Sequence, residues 1–381
     1  MTTRLLTGAT GFVGGAVVLE LLDRTEDTVH ALVRGKDDAD ATARLHAALI
    51  GMADGYGRSD LHEAIRTRTL AIRGDMTEPG CGADTSSLPA IDEVWHSAAS
   101  LRYEEEYRAE IEAQNIGGTE NVLALARSLG AGTFNYVSTA YVAGSRTGLI
   151  PEESVQDPSV ANNCYEQTKM AAEALVEAAG SDMRVRIMRP TVVIGHSVTK
   201  HGMNWSGLYG FARQVFSFKR RASRKLGTFL DHARVHLLAD PDTVVNLVPV
   251  DVVARNAVAI SLSDNPATHF HLGNANGPTV REMVTTVFDL VGLREPRWVD
   301  DRDGFTAIDE ALDGGMTFYR SYLRYDKRFD LTNTEAVSGP GATYSPTELR
   351  ADLEAYLLYY LHTLRGFEEN TGNRLVHPVA A

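Results

Sequence analysis

Thr7-Gly8-Ala9-Thr10-Gly11-Phe12-Val13-Gly14 follows a short strand-like run, and a helical pattern opens on its last residues. Glycines at 8, 11 and 14 suit a strand–turn–helix junction that receives a pyrophosphate. Gly8 permits a tight turn, Gly11 lets the backbone approach the phosphates, and Gly14 lets the helix pack against its strand. The free N–H groups and positive dipole end of that helix complete an anion site. A structural turn can use the same glycines. The strand before and the helix after favour a cofactor, to which Gly8, Thr10, Gly11, Phe12, Val13 and Gly14 are then assigned.

Outward from this loop, strand-like runs at 4–7, 28–34, 69–73, 93–96, 134–138 and 184–188 alternate with apolar residues at helical spacing over 13–22, 111–129 and 170–179. Such alternation makes βαβ units and gathers the ligand-facing loops at the C-terminal ends of the strands. The expected fold class is α/β, a Rossmann-type doubly wound parallel sheet with a smaller C-terminal substrate-binding lobe. Residues 1–195 would form the NADP-binding domain, rejoined by a strand and helix within 244–262. Residues 196–381 would form the lobe, ending in a loose tail over 369–381.

Composition bounds what such a protein can be. Of 381 residues, 44% are hydrophobic and 23% charged, as in ordinary globular proteins, which excludes disorder as the main state. A net charge of −13 disfavours general binding of nucleic acid or anionic lipid. Two cysteines, Cys81 and Cys164, cannot build a disulfide framework and suit a reducing cytoplasm. Met1-Thr2-Thr3-Arg4 runs straight into a strand-like segment, so no signal peptide is expected. The longest apolar stretches, such as 16–22 and 247–254, fall short of the ~20 residues of a membrane span.

The second strand ends Ala31-Leu32-Val33-Arg34, where an NAD enzyme usually places a carboxylate for the ribose 2′-hydroxyl. Arg34, with Arg44 further on, offers guanidinium forks suited to a 2′-phosphate, which favours NADP(H). Asp75, in Gly74-Asp75-Met76, would either accept from the adenine amino group beside the Met76 backbone or cap the next turn. Tyr165 and Lys169 stand four apart at a helix start, on one face. A nearby ammonium would lower the phenol pKa, letting Tyr165 donate a proton to an oxygen that receives a hydride. The fifth strand ends Tyr136-Val137-Ser138-Thr139-Ala140-Tyr141, which brings a hydroxyl to the same edge.

Together these pieces resemble an extended short-chain dehydrogenase/reductase, and more narrowly its thioester reductase and fatty acyl-CoA reductase branch. The resemblance rests on 7–14, Leu32-Val33-Arg34, Gly74-Asp75-Met76-Thr77-Glu78-Pro79 and Val94-Trp95-His96-Ser97-Ala98-Ala99. Asn115-Ile116-Gly117-Gly118-Thr119, Val137-Ser138-Thr139-Ala140-Tyr141-Val142, residues 165–173 and 189–195, and Val248-Pro249-Val250-Asp251 continue it, so that it covers roughly residues 3–255. It implies that Thr139, with Ser138 its nearest rival, bonds the substrate carbonyl, that Tyr165 is the general acid, and that Lys169 holds the nicotinamide ribose and tunes Tyr165. Ala98 and Ala99 would line the cofactor, Asn115 would brace the helix near it, and Pro190, Thr191 and Val192 would border the nicotinamide. The branch often continues after Pro79 with a Leu-Gly-Leu-like run, whereas Gly80-Cys81-Gly82-Ala83-Asp84 stands here.

The activity so implied is NADPH-dependent reduction of an acyl thioester to an aldehyde and a thiol. No adenylation or carrier module is legible in the chain, so the acyl group is expected to arrive on coenzyme A or a carrier protein. Lys219, Arg220, Arg221, Arg224 and Lys225 would dock that acidic partner, or else form a solvated helix face. No metal is expected: His232/His236 and His269/His271 have helical and strand spacing but no third ligand in a zinc pattern. Ketone or alcohol dehydrogenases, sugar-nucleotide epimerases or dehydratases, and a non-catalytic dinucleotide sensor are the rival functions. The last is disfavoured because both Tyr165 and Lys169 are kept.

Overall fold

A computed structural model describes residues 2–86, 88–155, 157–340 and 346–367. Seven parallel strands form the main sheet. They are β1 (Thr3–Thr7), β2 (Thr28–Val33), β3 (Thr69–Arg73), β4 (Glu93–His96), β5 (Thr133–Val137), β6 (Arg184–Pro190) and β7 (His269–Leu272), in the order β7-β6-β5-β4-β1-β2-β3. The central strands read as continuous apolar runs because helices cover both faces. Leu5, Leu6, Val29, Ala31, Val94, Trp95 and Phe134 are all buried. The register aligns the strand ends: Thr7 lies opposite Leu32 on one side and His96 on the other.

Five helices matter to the site: α1 (Phe12–Arg24), α2 (Asp38–Gly55), α3 (Gly118–Ser128), α4 (Cys164–Ala178) and α5 (Val250–Ser261). Val17, Val18, Leu21 and Leu22 form the buried stripe of α1, which packs on α5. The helix expected over 111–129 is not one helix. An α segment, Arg108–Glu112, passes through a π turn, Ala113–Gly117, before α3 begins. Apolar spacing does not register a single inserted residue, and the π turn carries Asn115.

The chain divides into two compact units. The first holds Met1–Met203 and Val248–Gly273, and also takes in 329–340. In it the Glu152 carboxylate accepts the N–H groups of His271 at 2.7 Å and Asn333 at 2.6 Å, tying β7 to the helix Thr332–Ser338. The second holds Asn204–Leu247, Asn274–Arg328 and the helix Pro346–Leu361. Inside the second, the helix Gly207–Leu226 packs on Pro346–Leu361, and the Trp205 ring lies 5.2 Å from Tyr209 and 4.7 Å from Tyr360. Two short parallel strands, His236–Leu238 and Arg297–Val299, complete it. No described helix is long and apolar enough to cross a membrane. The tail expected over 369–381 lies outside the described residues.

Candidate active site

Strand order reverses between β1 and β4, and an open α/β sheet binds its ligand in the crevice at such a switch point. The glycine turn leaves β1 there, and Ala98-Ala99 leaves β4. Gly8 has φ +81°, and a Cβ on it would lie 2.7 Å from the Ala98 nitrogen. A Cβ on Gly14 would run into the Gly8 carbonyl oxygen. Both positions therefore demand glycine. Gly11 is the N-cap of α1, in extended conformation, and no side chain caps the helix. Thr10 and Gly11 are exposed, Val13 is half-buried and Phe12 is buried, so the open face is made by backbone and by Thr10. An uncapped helix N-terminus beside a glycine-rich turn fits a pyrophosphate.

Arg34 directly follows β2 and Arg44 lies in α2. Both are exposed, and neither side chain forms an ion pair or hydrogen bond among the described residues. Asp75, left open between two roles, makes a turn: its Oδ1 accepts from the Thr77 N–H at 3.0 Å and the Thr77 hydroxyl at 2.9 Å. Met76 packs under Gly118, and its carbonyl accepts from Asn121 Nδ2 at 2.9 Å. The departure after Pro79 is a run of three left-handed residues, Gly80 (φ +60°), Cys81 (φ +59°) and Gly82 (φ +55°). It curls back so that the Cys81 carbonyl accepts from the Asp75 N–H at 2.8 Å. Burial pushes the Cys81 thiol up to about 11.

Asn163 caps α4, its Oδ1 accepting from the Glu166 N–H at 3.0 Å. That start sets Tyr165 and Lys169 on one face of the helix. Thr139 opens the turn after β5, where its Oγ1 accepts from the Tyr141 N–H at 3.2 Å, and its hydroxyl lies close enough to the Tyr165 phenol to pull that phenol's pKa down. Ser138, the rival hydroxyl, is buried with no partner among the described residues. Asn115 holds the loop after β4: its Oδ1 accepts from the Ser100 N–H at 2.7 Å and its Nδ2 donates to Thr168 Oγ1 at 3.0 Å.

Lys169 does not make the Tyr165 phenol acidic. Burial and the Glu166 carboxylate push that phenol up, against a smaller opposite pull from Thr139. The amine is turned elsewhere: Lys169 Nζ donates to the Tyr136 hydroxyl at 2.6 Å and to the Val137 carbonyl at 2.9 Å. Lys169 is itself buried, which lowers its pKa to about 7 despite the nearby Glu173 carboxylate. A half-neutral amine has little charge with which to favour tyrosinate. Tyr165 is accordingly a neutral hydrogen-bond donor at working pH.

The sequence reading missed three residues around this trio. Tyr136 receives Lys169. Glu173, one helical turn beyond Lys169, takes the Arg189 fork: Nε to Oε1 at 2.9 Å and Nη2 to Oε2 at 2.7 Å, both side chains buried. Arg189 Nη1 also donates to the Glu153 carbonyl at 2.8 Å. The pair fixes the end of β6, which leads into Pro190, Thr191 and Val192, and the Thr191 N–H donates to the Leu272 carbonyl at 3.1 Å. The signal for Glu173 was present, since 165, 169 and 173 recur at i+4. His96 is buried and neutral, its pKa lowered to about 3 by desolvation and then by Lys169.

Among the described residues, Glu173, Glu177 and His269 bring possible metal ligands within 4.8 Å of one another. Their oxygens are already engaged, Glu173 by Arg189 and Glu177 by His269 at 2.8 Å and Ser154 at 2.7 Å. Of the five cations proposed for docking, Lys219 is buried and paired with Asp231, because it falls on the apolar face of its helix. Arg220 donates to the Arg365 carbonyl at 3.2 Å, whereas Arg221, Arg224 and Lys225 are exposed.

Residues 6–257 match the model of the Male sterility protein family. The chain belongs to that family. Male sterility family proteins are extended short-chain dehydrogenases/reductases with an NAD(P)-binding Rossmann unit, and the chain is similar to the thioester reductases among them. It is 23% identical over 327 residues to a linear gramicidin synthase chain of Brevibacillus parabrevis, covering 82% of the chain and 6% of that protein. A putative fatty acyl-CoA reductase of Drosophila melanogaster is 24% identical over 347 residues, covering 76% and 59%. Against both, the chain spans less than two thirds of the relative's length. Among solved structures, the terminal R domain from the myxalamid PKS-NRPS biosynthetic pathway superposes with a TM-score of 0.75 at 25% identity, over 96% of this chain and 92% of that one.

Proposed function

We propose that the protein is an NADPH-dependent reductase that converts a coenzyme A-bound or carrier-bound acyl thioester into an aldehyde and a free thiol. The observation that carries this is the meeting of Thr139 and Tyr165, two neutral hydroxyls side by side at the end of β5 with Lys169 one turn away. Similarity to a linear gramicidin synthase, to the R domain of a PKS-NRPS pathway and to a fatty acyl-CoA reductase supports the substrate class.

The glycine turn and the α1 N-terminus would hold the pyrophosphate, Arg34 and Arg44 the 2′-phosphate, Ala98 and Ala99 the adjoining backbone, and Pro190, Thr191 and Val192 the nicotinamide end. When bound, NADPH supplies a hydride. Thr139 and Tyr165 donate to the carbonyl oxygen as it gains negative charge, which is usually a large catalytic contribution. Tyr165 gives its proton to that oxygen; as the adduct collapses, the O–H proton returns to Tyr165, the carbon–sulfur bond breaks, and the departing thiolate takes up a proton from solvent. Exposed Arg221, Arg224 and Lys225 would attract the phosphates of coenzyme A or an acidic carrier protein. Two buried free cysteines, Cys81 and Cys164, accord with a cytoplasmic setting.

The test is NADPH turnover with a panel of acyl-CoA, acyl-carrier and ketone substrates, with aldehyde and thiol both measured. One thiol per aldehyde is expected, and Tyr165→Phe should lower kcat by about 10²-fold or more. Turnover of ketones alone, or interconversion without net NADPH use, would refute thioester reduction. Undiminished turnover in Tyr165→Phe would refute the assignment of the acid.

A further inference from the structure

We propose that Tyr136 is a positioning residue: its hydroxyl holds the Lys169 amine at the end of β5, and its ring is itself fixed against His96, whose hydrogen bonds lead to the backbone beneath the glycine turn. This rests on the proposed function insofar as Lys169 serves the reaction. Tyr136 is 1% exposed, and phenylalanine would fill nearly the same volume, so burying the hydroxyl requires partners.

The donors and acceptors can be followed one by one. Lys169 Nζ donates to the Tyr136 hydroxyl oxygen at 2.6 Å, and the Tyr136 ring centroid lies 5.5 Å from that of His96. Thr119 spends its only proton on the Asn115 carbonyl at 2.6 Å, so towards other groups its Oγ1 can only accept. His96 Nε2, 3.1 Å from the same Oγ1, must be a donor. The neutral imidazole then has a bare Nδ1, which accepts from the Thr7 hydroxyl at 2.7 Å. Thr7 Oγ1 finally accepts the N–H of Ala98 at 3.2 Å, the same nitrogen that forbids a Cβ on Gly8. One connected set of bonds thus runs from Thr119 through His96 to the backbone beside the phosphate-binding turn, and the Tyr136 ring that carries the amine's acceptor packs against its imidazole.

Charged and titratable groups face Lys169 from three sides. Tyr136 on β5 and His96 on β4 lie below it, with the Tyr136 ring centroid 4.2 Å from Nζ. Glu173 and Tyr165 share its helix, and Glu173 is itself held by Arg189 of β6. Among them Tyr136 accepts the amine's hydrogen bond directly. The hydroxyl therefore favours the charged amine and fixes its direction.

The test keeps the ring and removes the oxygen. In the full-length protein with ¹³C-labelled lysines, the Lys169 signal is assigned by its loss in Lys169→Met and titrated by NMR. Tyr136→Phe should move its midpoint about one unit to lower pH. The pH profile of kcat for thioester reduction should shift in parallel, with KM for the thioester changed less than about twofold. A midpoint that stays or rises in Tyr136→Phe overturns the proposal. If that variant fails to fold, an unmoved midpoint in Tyr136→Met, which also lacks the hydroxyl, does so. The titration needs no substrate, so its failure is separate from failure of the thioester assignment, which would appear as absence of aldehyde from every thioester.

Discussion

Glu173→Gln should destabilise the protein far more than its single lost charge suggests. Arg189 is fully enclosed, and two of its nitrogens meet the Glu173 oxygens at 2.9 and 2.7 Å. Glutamine keeps the shape but leaves an uncompensated guanidinium in the interior, where breaking one side of such a pair costs about 3–5 kcal/mol. For a domain of this size each kcal/mol moves Tm by ~2–4 °C, so the expected fall is roughly 6–20 °C. Urea denaturation at pH 7.5, with m unchanged, measures it directly. Removing both charges with apolar residues of similar volume, Glu173→Leu with Arg189→Met, should recover most of the loss. A single-variant cost below about 1 kcal/mol would refute the reasoning, and so would a double variant no more stable than the single one.

Arg34→Ala should raise KM for NADPH by about tenfold or more while leaving KM for NADH nearly unchanged, as steady-state kinetics with both cofactors will show. Equal effects on the two would place Arg34 away from the 2′-phosphate. His96 titrates near 3 when folded against about 6.5 when unfolded. Protons therefore bind the unfolded chain preferentially below pH 6.5, and stability falls as pH drops from 6.5 towards 3, by up to about 5 kcal/mol. His96→Gln should flatten that acid limb in urea midpoints measured from pH 4 to 8, and an identical slope would exclude His96 as its source.

The sheet was legible because its strands are short, apolar and punctuated. The runs 69–73 and 93–96 coincide with β3 and β4, and 28–34 runs one residue past β2. The glycine turn was legible because Gly8 and Gly14 are required by sterics rather than preferred. Lys169 was placed on the correct helix, but its partner was not, because Tyr136 comes from a strand 33 residues away and nothing local marks the pairing. Lys219 was counted with the surface cations because charge alone does not tell which side of a helix faces inward. The left-handed course of 80–82 was visible only as a departure from a related pattern. Cys81, a residue with a side chain, adopts φ +59° there, and no propensity rule anticipates that.

The π turn at Ala113–Gly117 has a consequence for engineering. It spends one residue more than an α turn over nearly the same rise, so the helix before it and the helix after it are out of phase by about 100°. Asn115 sits at that phase slip, which is how one amide can reach Ser100 on one side and Thr168 on the other. Shortening the segment by a residue would produce a more regular rod whose amide swings off both partners. Any chimera or loop graft across this region has to conserve the length of the segment even where it is free to change the letters.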